Sequence, residues 1–327
     1  MSEPENTRTA LITAETASLL PLGDIAERAQ DYLRHAKAAN TVRAYRSDWQ
    51  HFLDWCERRG LEPLPSQPQA VALYLTDLAE SCKTSTLQRR LTAISQAHQL
   101  AGYSSPTKDA RVRAVWAGIR RTKGTAQKGK AAVMTDDVRL MVESLPSSLR
   151  GLRDRALLLV GFAGAFRRSE LVALEVADIA FTRAGLVVLI RRSKTDQEGA
   201  GRPVGLPYGS NADTCPVRAL QAWLESAGIS EGPIFRAVNR HGQMQPGRLS
   251  DKAVALVVKR TAEAVGLDPE RYAGHSLRAG LATSAAAAGA SERSIMAQTG
   301  HKSVTMARRY IRDGSLFREN AAAQLGL

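Results

Sequence analysis

A run with no acidic residue divides this chain. Residues 111–130 hold seven basic side chains, no aspartate or glutamate, and two glycines, Gly124 and Gly129, in the second half. Charges of one sign without partners belong in water or against an anion, not in a core. The stretch reads as an extended basic linker, so each side of it has to build a core of its own. At 327 residues the chain is long enough for two domains of ordinary size. A plain connector would simply be solvated. With no acid anywhere along it, this one is better suited to strap across a phosphate backbone.

Before the linker and into its first half, apolar residues recur at helical spacing. Val42, Tyr45, Trp49, Phe52, Leu53 and Cys56 make one face of a helix that Asn40 or Thr41 can cap and that ends near Gly60. Arg43, Arg46 and Asp48 are assigned to the opposite face. Val71, Tyr74, Leu75 and Leu78 form a second stripe, Leu87, Leu91, Ile94 and His98 a third that stops at Gly102, and Val112, Val115 and Ile119 a fourth. With residues 25–36 these stripes predict a bundle of about four or five helices. Residues 1–21 are polar, with Glu3, Glu5 and Glu15, and lack the basic and apolar regions of a secretory signal. They read as a loosely ordered arm, and the protein as cytoplasmic.

Beyond the linker the pattern changes. Thr135 is placed to cap a helix, and residues 156–165 are apolar enough to form a buried one. Gly185-Leu-Val-Val-Leu-Ile190 is a short β-rich run, and Arg202-Pro-Val-Gly-Leu-Pro207 returns as a second. Between them lies a polar, glycine-containing tip, so the pair predicts a hairpin. The remainder, including residues 250–266 and the alanine-rich 279–288, reads as helical. The expected class is mainly α with a small β-sheet.

The formal net charge of +13 favours a polyanion as partner. There is no long apolar run and no lipidation signal, so no membrane role is expected. Cys56, Cys82 and Cys215 are too scattered for a disulfide framework or a metal site, and Cys56 continues the first apolar stripe. No carboxylate cluster suggests a two-metal nuclease and no P-loop appears, so neither metal nor cofactor is expected.

Three short motifs carry chemistry: Phe166-Arg167-Arg168-Ser169-Glu170-Leu171, then Gly274-His275-Ser276-Leu277-Arg278, then Gly300-His301-Lys302-Ser303 running on to Arg309-Tyr310. Arginine grips phosphate oxygens bidentately and stays charged. Histidine donates or accepts a proton near neutrality, and tyrosine can be a covalent nucleophile. Each motif alone has an ordinary explanation. Arg167 could answer a helix dipole, His275 could be a satisfied core histidine, and Lys194 could be solvated on its hairpin tip.

Taken in order, and with Lys194 in Ser193-Lys194-Thr195, these motifs resemble the tyrosine recombinases, or phage integrase family, over residues 22–327. Trp55-Cys56, Arg120-Arg121 and Arg309-Tyr310-Ile311-Arg312 look similar to its Cre-type branch, although that branch often has tryptophan where His301 stands. The resemblance implies an N-terminal SAM-like core-binding domain (22–122), a linker (123–133), an α+β catalytic domain (134–312) and a C-terminal helix (313–327). It further implies that Arg167 and Arg278 clamp the scissile phosphate with Glu170 in support. Arg168 does not match the clamp position in the motif. His275 would move a proton near the nucleophile, Lys194 would protonate the departing 5′ oxygen, and His301 would hydrogen-bond a non-bridging oxygen. Tyr310 would be the nucleophile; Tyr208 and Tyr272 lie outside the motif.

By the same resemblance the substrate is double-stranded DNA with inverted-repeat sites, gripped by a homotetramer that passes through a Holliday junction. Arg43, Arg46, Gln88, Arg89 and Arg90, the basic run at Arg120, Arg121 and Lys123, and Lys252, Lys259 and Arg260 are the expected DNA contacts. Leu316, Phe317, Ala321 and Leu325 stand at helical spacing, and the resemblance implies that this helix docks on a neighbouring protomer in a cyclic ring. Two rival readings share the scaffold: a type IB topoisomerase-like nicking-closing enzyme, and a catalytically silent DNA-binding protein.

Overall fold

A computed structural model describes residues 38–125, 129–194, 196, 198–314 and 325. The expected arm, the segment 25–36 and, Leu325 apart, the expected C-terminal helix from residue 315 onward lie outside the described residues. The chain divides into two compact units after Lys128, inside the stretch expected to link them.

Four helices are described in the first unit: α1 (Ala39–Glu57), α2 (Pro68–Ala79), α3 (Thr84–Leu100) and α4 (Ala110–Lys123). Their apolar stripes meet in one core of Trp49, Phe52, Trp55, Val71, Tyr74, Leu75, Leu87 and Ile94, with Cys56 buried among them. Proline opens α2, where a missing N–H would have no helical partner anyway. Neither Asn40 nor Thr41 caps α1. That helix already begins at Ala39, and the Asn40 side chain accepts from Arg43 Nη1 at 3.1 Å.

Two expectations for this unit are corrected. Asp48 is not on the outer face: it is buried, and its carboxylate accepts from Arg89 Nε at 2.6 Å and Nη2 at 3.0 Å. The basic run is not extended either, because residues up to Lys123 belong to α4. Asp109 caps that helix by accepting from the Arg111 N–H at 2.9 Å. Arg120, Arg121 and Lys123 then fall in its last turn, where the negative end of the helix dipole stabilises them. Lys123 Nζ also donates to the carbonyls of Ala79, Glu80 and Cys82, which ties the end of α4 to the end of α2.

The second unit starts with α5 (Thr135–Glu143), α6 (Leu149–Ala163) and the short α7 (Arg168–Ala173). Strands β1 (Ile179–Thr182), β2 (Gly185–Ile190) and β3 (Arg202–Pro207) form an antiparallel sheet in that order. Leu186, Val188, Ile190, Val204 and Leu206 face the core, while Val187 and Leu189 alternate outward. Then come α8 (Pro216–Ser226), the hairpin of β4 (Arg236–Val238) and β5 (Met244–Arg248), α9 (Asp251–Ala264), α10 (His275–Ala287), α11 (Glu292–Thr299) and α12 (Val304–Gly314). The strands β1, β4 and β5 are additions to the sequence reading; they span only 3–5 residues each and carry little alternation. Thr135 is the first helical residue of α5 rather than its cap, and Asp137 accepts from the Met134 N–H instead.

Helix α6 is the core of this unit, with Ala156, Leu157, Leu158, Leu159 and Val160 buried. It begins earlier than its apolar run, since Ser148 caps it and two charged residues of its first half are hidden as a pair. Arg153 donates to Asp154 Oδ1 through Nε at 2.9 Å and Nη2 at 2.7 Å, and Arg260 reaches Asp154 Oδ2 from α9. Removing one partner of a buried pair strands the other charge. Asp154→Ala is therefore expected to destabilise the protein by about 3–5 kcal/mol in urea unfolding. A loss below about 1 kcal/mol, the scale of an exposed pair, would mean that Arg153 finds another partner.

Helix α10 is pinned to the start of this unit. Val133 donates its N–H to Ser276 O at 3.1 Å, and a Cβ at Gly280 would stand 1.8 Å from Val133 O. Only glycine permits that approach.

Candidate active site

The site is built where four segments of the second unit end near one another. After α6 the chain turns through Ala165, which is buried with φ of 49°, an unusual value for a residue with a Cβ. Its carbonyl accepts from Arg278 Nη1 at 2.8 Å, so the turn is held by a side chain from α10. Arg167 follows as the residue preceding α7. Its N–H donates to Glu170 Oε2 at 2.9 Å, and its guanidinium donates to Glu170 Oε1. Glu170 is buried in the first turn of α7, where the helix dipole favours a carboxylate.

Arg278 is 1 % exposed. Burial, with Arg167 next to it, pulls its guanidinium down to about 10, which still leaves it charged at neutral pH. Among the described residues no acceptor meets its Nη2. A buried donor of this kind is costly unless an anion uses it.

His275 opens α10, and its Nε2 stands 2.8 Å from the hydroxyl of Tyr310 on α12. Burial first, then Arg278, Arg167, Arg168 and Lys194, hold this histidine below its ordinary range. It is neutral at pH 7 and able to accept a proton. His301, in the turn between α11 and α12, stacks on the Tyr310 ring with centroids 5.8 Å apart and 19° between planes. Burial, followed by Arg278, Arg167, His275 and Arg202, pushes it down to about 4. Lys194 lies in a turn at the tip between β2 and β3. Ser193 and Asp196 exchange backbone hydrogen bonds at 3.1 Å, and the Asp196 carboxylate accepts from Ala200 N at 3.1 Å and Gly201 N at 2.8 Å. The charge of Lys194 reaches His275 from that tip.

Two residues here carried no motif signal. Arg202, the first residue of β3, donates from Nη1 to Gln298 O at 3.3 Å, at the end of α11, and its buried Nη2 has no acceptor among the described residues. Burial lowers its pKa, and its charge is felt by both Arg278 and His301. Thr299 is buried in α11 with its hydroxyl 2.8 Å from His301 Nδ1. A basic residue at a strand start and a threonine at a helix end are too common for spacing alone to single them out.

The expected DNA contacts divide by placement. Arg43, Arg46, Gln88, Arg120, Arg121 and Lys252 are exposed. Arg89 is half exposed but engaged with Asp48, Lys259 with Glu270, Arg260 with Asp154, and Lys123 with carbonyls of its own unit. Arg90 is turned inward rather than out, with its side chain 12 % exposed, 3.8 Å from Asp48 and over the Tyr74 ring. The buried carboxylate and the aromatic face attract it away from the surface. Among the described residues no helix is long and apolar enough to cross a membrane.

The arrangement joins a tyrosine hydroxyl to a neutral histidine beside cationic donors, a set suited to an anionic ester. Comparison with known proteins agrees. Residues 132–315 match the phage integrase family, and residues 27–104 match the phage integrase N-terminal SAM-like domain. The chain is 46% identical over 298 residues to an integrase/recombinase XerD homolog of Selenomonas ruminantium, covering 90% of this chain and 87% of the relative. It is 26% identical over 301 residues to the recombinase Cre of Escherichia phage P1, covering 86% of each. Its fold is similar to that of XerH site-specific recombinase in a post-cleavage complex with a palindromic difH substrate. The TM-score there is 0.63 at 16% identity, over 93% of this chain and 85% of that one.

Proposed function

The chain belongs to the phage integrase family, and from its site we propose that Tyr310 attacks a DNA phosphodiester. The protein is a tyrosine recombinase, an enzyme of site-specific DNA recombination. The observation that carries the assignment of the nucleophile is the 2.8 Å contact between the Tyr310 hydroxyl and His275 Nε2. A phenol is protonated at neutral pH and must lose its proton as it attacks. His275, neutral and within hydrogen-bond reach, takes it. Arg167, oriented by Glu170, and Arg278 neutralise the charge that grows on the non-bridging oxygens. His301 contacts one of those oxygens. Lys194 gives a proton to the departing 5′ oxygen.

The products are a 3′-phosphotyrosyl bond and a free 5′ hydroxyl. One phosphodiester has replaced another, so a 5′ hydroxyl from a second duplex reverses the step without ATP. Two rounds of paired exchange on inverted-repeat sites, in a tetramer in the cytoplasm, pass through a four-way junction. A duplex nicked next to the cleavage point tests the first step, because the short 5′ fragment diffuses away and strands the adduct. A protein–DNA band that survives denaturation is expected. Relaxation of any supercoiled plasmid, irrespective of site, would instead favour the topoisomerase reading.

Affinity should fall steeply with salt, because phosphate contacts release counterions. Arg120→Gln with Arg121→Gln should flatten the slope of log affinity against log salt by about 2, roughly one for each lost phosphate contact. An unchanged slope would return the end of α4 to the role of a solvated surface.

A further inference from the structure

The hydrogen bonds around His301 fix more than its position. Thr299 Oγ1 lies 2.7 Å from the carbonyl of Ile295, one turn back in α11. A carbonyl can only accept, and two acceptors at that distance repel, so the single hydroxyl hydrogen is committed to Ile295. The same oxygen is 2.8 Å from His301 Nδ1. With its hydrogen spent, Thr299 can only accept there, and Nδ1 must carry the proton.

The turn is built to make this contact. Gly300 ends α11 with φ of 66°, its N–H donating to Met296 O at 2.8 Å. That left-handed step folds His301 back over Thr299. A Cβ at Gly300 would stand 2.6 Å from Arg202 Nε, so a larger residue there would have to push the Arg202 side chain aside. Gln298 anchors the end of the helix by donating to Ala163 O at 2.7 Å. Thr299 itself is fully buried.

We propose that Thr299 is a positioning residue that locks His301 in the Nδ1–H tautomer, leaving its Nε2 a bare lone pair until a proton arrives with the substrate. The proposal rests on the reading of His301 as a phosphate contact. A phosphate oxygen offers no hydrogen, so a neutral His301 in this tautomer has nothing to donate to it. The groups facing the ring from the other elements are Arg167, Arg202, His275, Arg278 and Tyr310, and none of them is a carboxylate. The free site therefore holds the ring neutral. When the phosphate anion enters, its charge raises the basicity of Nε2, which takes up a proton from hydronium in the solvent, leaving water, and becomes the donor, and the bond from Nδ1–H to Thr299 remains in place for the resulting imidazolium. Thr299 thus makes the His301 contact depend on the anion.

Nitrogen-15 NMR of the full-length protein labelled at histidine reads the tautomer directly, because protonated and bare ring nitrogens resonate far apart. Six histidines contribute, and His301→Gln identifies the signal that matters. The wild type and Thr299→Ser should show Nδ1 protonated and Nε2 bare in the free protein at pH 7. Thr299→Val, nearly the same shape without the hydroxyl, should lose this preference and move toward the Nε2–H form. A wild type already protonated at Nε2 overturns the proposal even if the valine variant does not fold. So does a folded Thr299→Val with an unchanged spectrum. Trapping of the Tyr310 adduct by the wild type on nicked DNA reads covalent chemistry and not the tautomer of the free protein, so failure of the recombinase reading would show separately.

Discussion

Tyr310→Phe is expected to bind DNA as the wild type does and to form no covalent complex with it. The substitution removes one oxygen atom. The ring stays stacked on His301 and close to the small cluster of Ala282, Ala286 and Ile295. None of the exposed basic residues on α1, α3, α4 or α9 is touched. What disappears is the hydroxyl that stands 2.8 Å from His275 Nε2. Without it no atom remains at that place to form an ester with phosphorus, so the loss is complete rather than graded. The measurement is a nicked duplex incubated with each protein, run once on a native gel for binding and once on a denaturing gel for the adduct. Adduct formation by Tyr310→Phe at the wild-type rate would move the nucleophile elsewhere. Tyr272 and Tyr208 are the next tyrosines to test: the first is buried in the core of the unit, the second lies under Arg218.

Much of this arrangement was legible in the sequence because its chemistry is local and its spacing strict. His275 and Arg278 share one face of α10 because they are three apart, and Arg167 meets Glu170 for the same reason across the start of α7. The apolar stripes of α1 to α3 were also readable, since their burial follows the helical period, except that Val42, counted in the first stripe, is exposed at the start of α1. Partnerships between distant segments could not be read in this way. Asp48 lies on α1 beside a basic face, and nothing local says that Arg89 on α3 will draw it inward. Arg90 departs with it. The basic run at the end of the first unit misled for a related reason. Like charges argue for an open strand, but one aspartate cap and a dipole-matched last turn were enough to keep it helical. Arg202 and Thr299 act through the end of α11, which no motif joins to β3.

Lys194→Ala should cleave ordinary DNA about 10²–10⁴-fold more slowly and should recover when the leaving oxygen is replaced by sulfur. An alkoxide is a poor leaving group without a proton, whereas a thiolate departs readily without one. A substrate with a 5′-phosphorothiolate at the cleaved bond therefore needs no general acid, and a defect confined to proton donation vanishes on it. Arg167→Ala and Arg278→Ala should lose about 10²–10³-fold, the loss typical for one donor to a developing oxyanion. Sulfur should not restore them, because charge still grows on the non-bridging oxygens. The placement of these groups supports separating the proposed roles. Arg278 is buried against Ala165 and Arg167 is fixed on Glu170, both at the floor of the site, whereas Lys194 comes from the tip between β2 and β3. That tip is held by the Asp196 carboxylate through the N–H groups of Ala200 and Gly201. Asp196→Ala should therefore reproduce a milder form of the lysine defect, again relieved by sulfur. Equal relief of the lysine and both arginine variants would mean that the sulfur substrate bypasses the whole site, and Lys194 would lose its claim to be the acid.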